Sequence, residues 1–273
     1  MRHRAFLSPL SGLLVWTAIV WGQRPTEPAA ADLIAKSRDK ALAYARSLPD
    51  FLCTEVVHRF RENKTQSSLG TAEIPGETKW APFDKLTVRL SYFQQKEEHE
   101  LVLVNDKPTV LKYQGLTGGT GEGEFGATLQ DIFNPFSQTA FRWDSWKTVR
   151  KHRTAIFLYK VDVAHSRYSV ETGEPGDTHH AIVGFHGRLE IDRDTGEVLH
   201  LTYLAEPPRT VNLEEVSNSV DYDLADVGGR SYLLPVHSET EIHSPGLSVR
   251  NEIDFREYRK FSANSAIEYG TLK

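Results

Sequence analysis

AIVGFHGRLEIDRDTGEVLHLTYLAE, residues Ala181 to Glu206, joins two alternating apolar runs across a short polar turn. Leu189 and Ile191 alternate with Arg188, Glu190 and Asp192, while Leu199, Leu201 and Tyr203 alternate with Val198, His200 and Thr202. That two-residue period belongs to strands with one packed and one wetted face. The stretch is therefore a β-hairpin, with Leu199, Leu201 and Tyr203 expected on its packed side. Asp192 to Gly196 form the connection, and Gly196 stands where a longer hairpin loop needs a positive φ.

Working outward, the same period recurs. Phe51 to Phe60, Leu86 to Tyr92, Leu101 to Val104 and Thr109 to Tyr113 read as strands before the hairpin, and Ala155 to Val163 places Phe157, Tyr159, Val161 and Val163 on one face. Tyr168 and Val170 continue this pattern, and Thr172 to Thr178 reads as a turn. Tyr232 to Ile242 and Leu247 to Phe255 flank a turn at Ser244, Pro245 and Gly246, and Pro235 marks a bulge or an edge. Val211 to Tyr222 has no clear type. No helix-length segments separate the strands of the first half, so antiparallel pairing is expected there.

One helix precedes the sheet. Leu33, Ile34, Ala41, Leu42, Tyr44, Ala45 and Leu48 recur at helical spacing up to Pro49, which gives an amphipathic helix needing a partner for its apolar stripe. A Gly-rich loop, Gly115 to Gly126, leads into a second short helix, Ala127 to Phe133, stopped by Asn134 and Pro135. Phe125, Phe133, Phe136, Phe141, Trp143 and Trp146 follow closely, a large aromatic surface beside that loop. These rings either plug the open face of the sheet or hold a hydrophobic ligand. The candidate ligand residues are Phe125, Phe133, Phe136, Phe141, Trp143, Leu199, Leu201 and Tyr203.

The 273 residues, 39% of them hydrophobic, suffice for a substantial core, and a net charge of −5 gives no general pull toward nucleic acid or an anionic membrane. Arg2, His3 and Arg4 precede an apolar run from Ala5 to Gly22, the charge-then-apolar order of an export signal. An uncleaved membrane anchor is the alternative. The expected organisation is a signal peptide over 1–22, a linker rich in Pro and Ala over 23–31, and one β-rich domain over 32–273. The expected location is periplasmic or extracellular. Cys53 is the only cysteine, so no intrachain disulfide forms and stability comes from packing.

Familiar chemical signatures are weak. Cys53 with His58 suggests a nucleophile and base, but a lone Cys in an apolar segment reads as core. Asp194, Thr195 and Gly196 spell an aspartic-protease tripeptide without a second copy, and Asp192 with Asp194 supply too few ligands for calcium. His179, His180, His186 and His200 match no zinc spacing. Gly121, Gly123 and Gly126 give a formal G-x-G-x-x-G, but Glu122 and Glu124 would repel a phosphate and no parallel βαβ unit surrounds them. The basic run Arg150 to Arg153 reads as a solvated strand end. No catalytic residue, metal or cofactor is indicated.

The order of these elements, with GRLEIDRDTGEVL near the middle and YLLPV before a closing hairpin, resembles the periplasmic lipoprotein-carrier superfamily of LolA-like and LppX-like proteins over most of Asp32 to Lys273. The resemblance implies an α+β, β-rich fold: a curved antiparallel half-barrel with an N-terminal helix and a short helical plug over its concave face. It also implies a non-enzymatic carrier of a lipid, acyl chain or lipoprotein, served by a membrane-associated donor or acceptor and not by nucleic acid. The alternatives are an exported hydrolase with a dispersed active site and an interaction module whose core is filled.

Overall fold

The structure is a computed structural model that describes residues 25–62, 79–113, 116, 123–174 and 177–261. The expected signal segment and most of the Gly-rich loop lie outside them. Helix α1 (Glu27–Ser47) leads into β1 (Phe51–Glu62), β2 (Trp80–Phe93), β3 (Lys96–Val104) and the two-residue β4 (Lys107–Pro108). Helix α2 (Ala127–Phe133) precedes β5 (Ala140–Val149), β6 (His152–Val161), β7 (Ser169–Glu174) and β8 (Asp177–Ile182). The chain closes with β9 (Phe185–Asp192), β10 (Val198–Ala205), β11 (Glu215–Asp226), β12 (Ser231–Ser244) and β13 (Leu247–Lys260).

Among the described residues eleven strands form one sheet in the order β4-β3-β2-β1-β13-β12-β11-β10-β9-β6-β5, and β7 and β8 pair separately. All these pairs are antiparallel. Among the described residues the sheet does not close into a barrel, and β5 and the short β4 are its edges. It is the curved α+β half-barrel expected, with two α-helices across its inner face.

Apolar side chains of alternate strand residues gather on that face. Phe157, Leu189, Ile191, Leu201, Val220 and Tyr222 form one part of the core with Ile34, Ala41 and Tyr44 of α1 and Leu129, Ile132 and Phe133 of α2. Phe51, Cys53, Leu86, Leu90, Phe125 and Phe255 form the other. A seven-residue helix is too short to hold itself in water. Burial of three large apolar side chains, each contributing roughly 1.5–3 kcal/mol, holds α2 in place. Tyrosines pin the roof to the sheet: Tyr44 Oη donates to Leu233 O at 2.9 Å, Tyr92 Oη to Ala45 O at 3.0 Å, and Tyr222 Oη to Glu124 O at 2.9 Å.

Several sequence expectations shift. Helix α1 begins at Glu27 and so takes in the latter part of the stretch read as linker; Pro28 sits in the first turn, where its missing N–H costs nothing. Thr109 to Tyr113 is not a strand: β4 stops at Pro108, after which Thr109 N makes one more bond to Val102 O at 3.3 Å. Val163 lies past β6 in a 3₁₀ turn and is exposed. The turn expected at Thr172 to Thr178 is narrower, since β7 runs to Glu174 and β8 starts at Asp177. The untyped stretch after Val211 resolves into β11.

The central hairpin forms as β9 and β10, with Gly196 at φ 75°. Its alternation breaks once. Val198 pairs with Ile191 and His200 with Glu190, leaving Leu199 as the extra residue of a bulge. Val198, not Leu199, therefore joins the core beside Leu201 and Tyr203. Pro235 sits at a second bulge, where Tyr222 pairs with Pro235 but Asp221 with His237. Proline is tolerated inside the sheet there because the ladder is already interrupted.

Candidate functional site

Edge strand β5 carries the aromatic cluster. Phe141 pairs with Tyr159 and Trp143 with Phe157, so both rings face the concave side. Plain alternation would then bring Ser145 inward. A bulge at Asp144 instead sets Ser145 opposite Ile156 and Trp146 opposite Ala155, which returns Trp146 to the face of Phe141 and Trp143. The three rings form a half-buried track of roughly 16 Å at strand rise. Phe141 stacks on Phe133 of α2 at 5.4 Å, and Trp143 meets Trp146 edge-on at 6.4 Å.

The track ends in an open groove of about 520 Å³ between the first half of α1, β5 and the turn of the central hairpin. Ala29, Ala30, Leu33 and Trp146 supply its apolar lining, and Ala30, Leu33 and Trp146 also pack against the main core. The groove thus borders the core. Lys36, Arg153, Arg193 and Asp32 stand around it. Arg153 and Arg193 lie 4.6 and 5.9 Å from the Trp146 ring, within range of a cation–π contact. The backbone fixes their spacing, since Arg193 N donates to Arg153 O at 2.9 Å. Lys36 Nζ donates to Asp194 O and ties α1 to the hairpin turn.

None of the eight candidate residues lines this groove, although Phe141 and Trp143 belong to the track that reaches it. Phe125, Phe133, Leu201 and Tyr203 are buried in the core, Leu199 is half-buried at its bulge, and Phe136 is exposed beside His165 and Arg167. Trp146 was visible within the aromatic cluster. Leu33 carried only a helical period, Arg153 belonged to the run read as a solvated strand end, and Arg193 to the hairpin connection.

A second titratable group lies beneath the other half of the roof. Glu55 and His99, both almost wholly buried, approach to 3.4 Å, and His99 stacks on Tyr113. Glu124, which precedes the buried Phe125, accepts a hydrogen bond from Ser238 Oγ at 3.3 Å. Burial pushes its carboxyl up to about 6, and the charge of Glu55 adds to that rise against the pull of its own backbone, His99 and Ser238.

The remaining signatures resolve structurally. Cys53 and His58 point to opposite faces of β1. Asp192 Oδ1 accepts from the amides of Asp194 and Thr195, the role of a turn-forming aspartate, while its Oδ2 meets His152 at 2.6 Å. His200 pairs with Asp221, and His179 and His180 belong to the small second sheet. Among the described residues no three metal-ligating side chains gather. No helix among them is long and apolar enough to cross a membrane.

No known family profile matches the chain, and no curated protein matches its sequence. Solved structures are similar at low identity. A DUF1329 family protein from Desulfovibrio piger is 10% identical, with 87% of this chain and 95% of the other covered and a TM-score of 0.36. An outer membrane lipoprotein-sorting protein domain from Vibrio parahaemolyticus is 11% identical over 86% and 96%, with a TM-score of 0.35. A LolA superfamily protein from Nitrosomonas europaea is 8% identical over 85% and 94%, with a TM-score of 0.34. Nothing about ligand or activity passes to this chain from likenesses of that degree.

Proposed function

We propose that the protein is an exported, non-enzymatic binding or carrier protein for a hydrophobic ligand, an acyl chain or the lipid of a lipoprotein. The observation that carries this reading is the open groove whose apolar lining is also the margin of the core, reached by the Phe141, Trp143 and Trp146 track. Monomeric soluble proteins normally cover apolar surface of this kind, and contiguous aromatic surface rimmed by charge marks a binding site. Arg2 to Arg4 followed by the apolar run to Gly22 supports export, and with it a membrane-associated donor or acceptor.

Native mass spectrometry of protein purified from its own compartment, followed by solvent extraction, tests the reading. A co-purifying amphiphile displaced by Trp146→Ala is the expected result. Protein that carries no amphiphile and fails to displace a fluorescent fatty-acid probe overturns it.

A further inference from the structure

Resting on that carrier reading, we propose that the groove recognises an amphiphile with an anionic head group, a carboxylate or phosphate held by Arg153 and Arg193, while its tail lies against Trp146, Leu33 and Ala30. Three cations and one acid line the groove of a chain whose net charge is −5, so the local sign is the reverse of the whole. Elsewhere on the sheet arginines meet carboxylates: Arg59 with Asp84, Arg89 with Glu100, Arg188 with Glu190 and Arg250 with Glu252. Arg153 and Arg193 have no carboxylate within ion-pair distance among the described residues. Two like charges are instead brought to one indole ring, an arrangement that an anion between them would relieve.

The chemistry of the pair fits that ligand. A guanidinium presents a planar fork that bonds carboxylate or phosphate oxygens in pairs, and stacking on an aromatic face orients the fork before binding. Two forks anchored by one backbone hydrogen bond define a head-group position at the groove mouth. The apolar lining begins at the same ring, so one indole serves both ends of an amphiphile: its face is shared by the guanidinium groups and the tail. The groove volume of about 520 Å³ lies within the roughly 300–1,000 Å³ of small-molecule sites.

The test uses the full mature chain and three probes of one tail length, dodecanoate, dodecyl phosphate and dodecanol, titrated by displacement of a fluorescent probe. Both anions are expected to bind about tenfold or more tighter than dodecanol, and the ratio between them identifies the head group. Arg153→Gln with Arg193→Gln is expected to remove that advantage, bringing the three probes to within about twofold of one another. Both side chains are exposed, so the variant should retain its fold, and Arg153→Lys with Arg193→Lys, which keeps the charges, is expected to recover part of the affinity. If dodecanol binds as tightly as the anions and the Gln variant changes nothing, the head-group proposal fails while the carrier reading stands. If none of the three binds, both fail.

Discussion

Gly187 shows how one residue decides whether two strands meet. A Cβ built there would lie 1.9 Å from Thr202 O on the neighbouring β10, an approach backbone atoms cannot relieve without opening the ladder. Gly187→Ala is therefore expected to destabilise the protein by about 1–3 kcal/mol, read as a lower urea midpoint with an unchanged slope. Glu124 makes the second residue-scale prediction. Its carboxyl is raised in the folded chain to about 6 from an ordinary 4.5, so the folded state holds the proton over a range where the unfolded state has released it. The stability it contributes is full below pH 4.5, falls as pH rises through 6, and the span is about 2 kcal/mol. Asp221, lowered chiefly by its hydrogen bond to His200, works in the opposite sense and loses its contribution only at more acid pH. Stability of wild type is thus expected to rise from pH 7 to pH 5, and Glu124→Gln to flatten that rise in denaturant titrations. The sequence placed Glu124 in a glycine-rich loop because its partner Ser238 stands 114 residues further along.

Among the elements, what sequence made legible were the runs of strict alternation and the helical stripe of α1. Each bulge then changed which residues shared a face. Leu199 and Asp144 are single insertions in otherwise regular ladders, and nothing in their own side chains announces them. Their positions follow from the partner strand, which supplies one residue opposite two. This is why Trp146, three residues after Trp143, faces the same side, and why the groove escaped a reading by period. Deletion of Asp144 makes a specific prediction. It leaves Phe141, Trp143 and Trp146 at strict two-residue spacing, so the rings keep their face without the bulge. Amphiphile affinity should stay within about threefold of wild type and stability within about 1 kcal/mol. A deletion that abolishes binding while the fold melts normally would mean that the bend of β5, and not only its ring order, shapes the site.

Across the whole molecule, pattern gave the antiparallel strands and the helices, the half-barrel with its roof came from the family resemblance, and the groove came from neither. Its lining is drawn from α1, β5, β6 and the central turn, residues brought together only by the strand order β10-β9-β6-β5. Occupancy of such a site stabilises the entire fold by mass action, about 2.7 kcal/mol at a ligand concentration of one hundred times Kd. Dodecanoate or dodecyl phosphate is therefore expected to raise the melting temperature of wild type in scanning calorimetry, and the Trp146→Ala variant to respond less.

Strand β1 lies between β2 and β13, so the first described strand of the sheet finds one of its two neighbours only in the last, with Phe51 opposite Lys260 and Arg61 opposite Val249. A ribosome making this protein releases nearly every other strand before that seam can be sewn. The nascent chain consequently stays open along its middle until β13 has been made, a slow, long-range closure. On the export proposed above, a translocation machine that threads unfolded polypeptide would meet it in the form it needs.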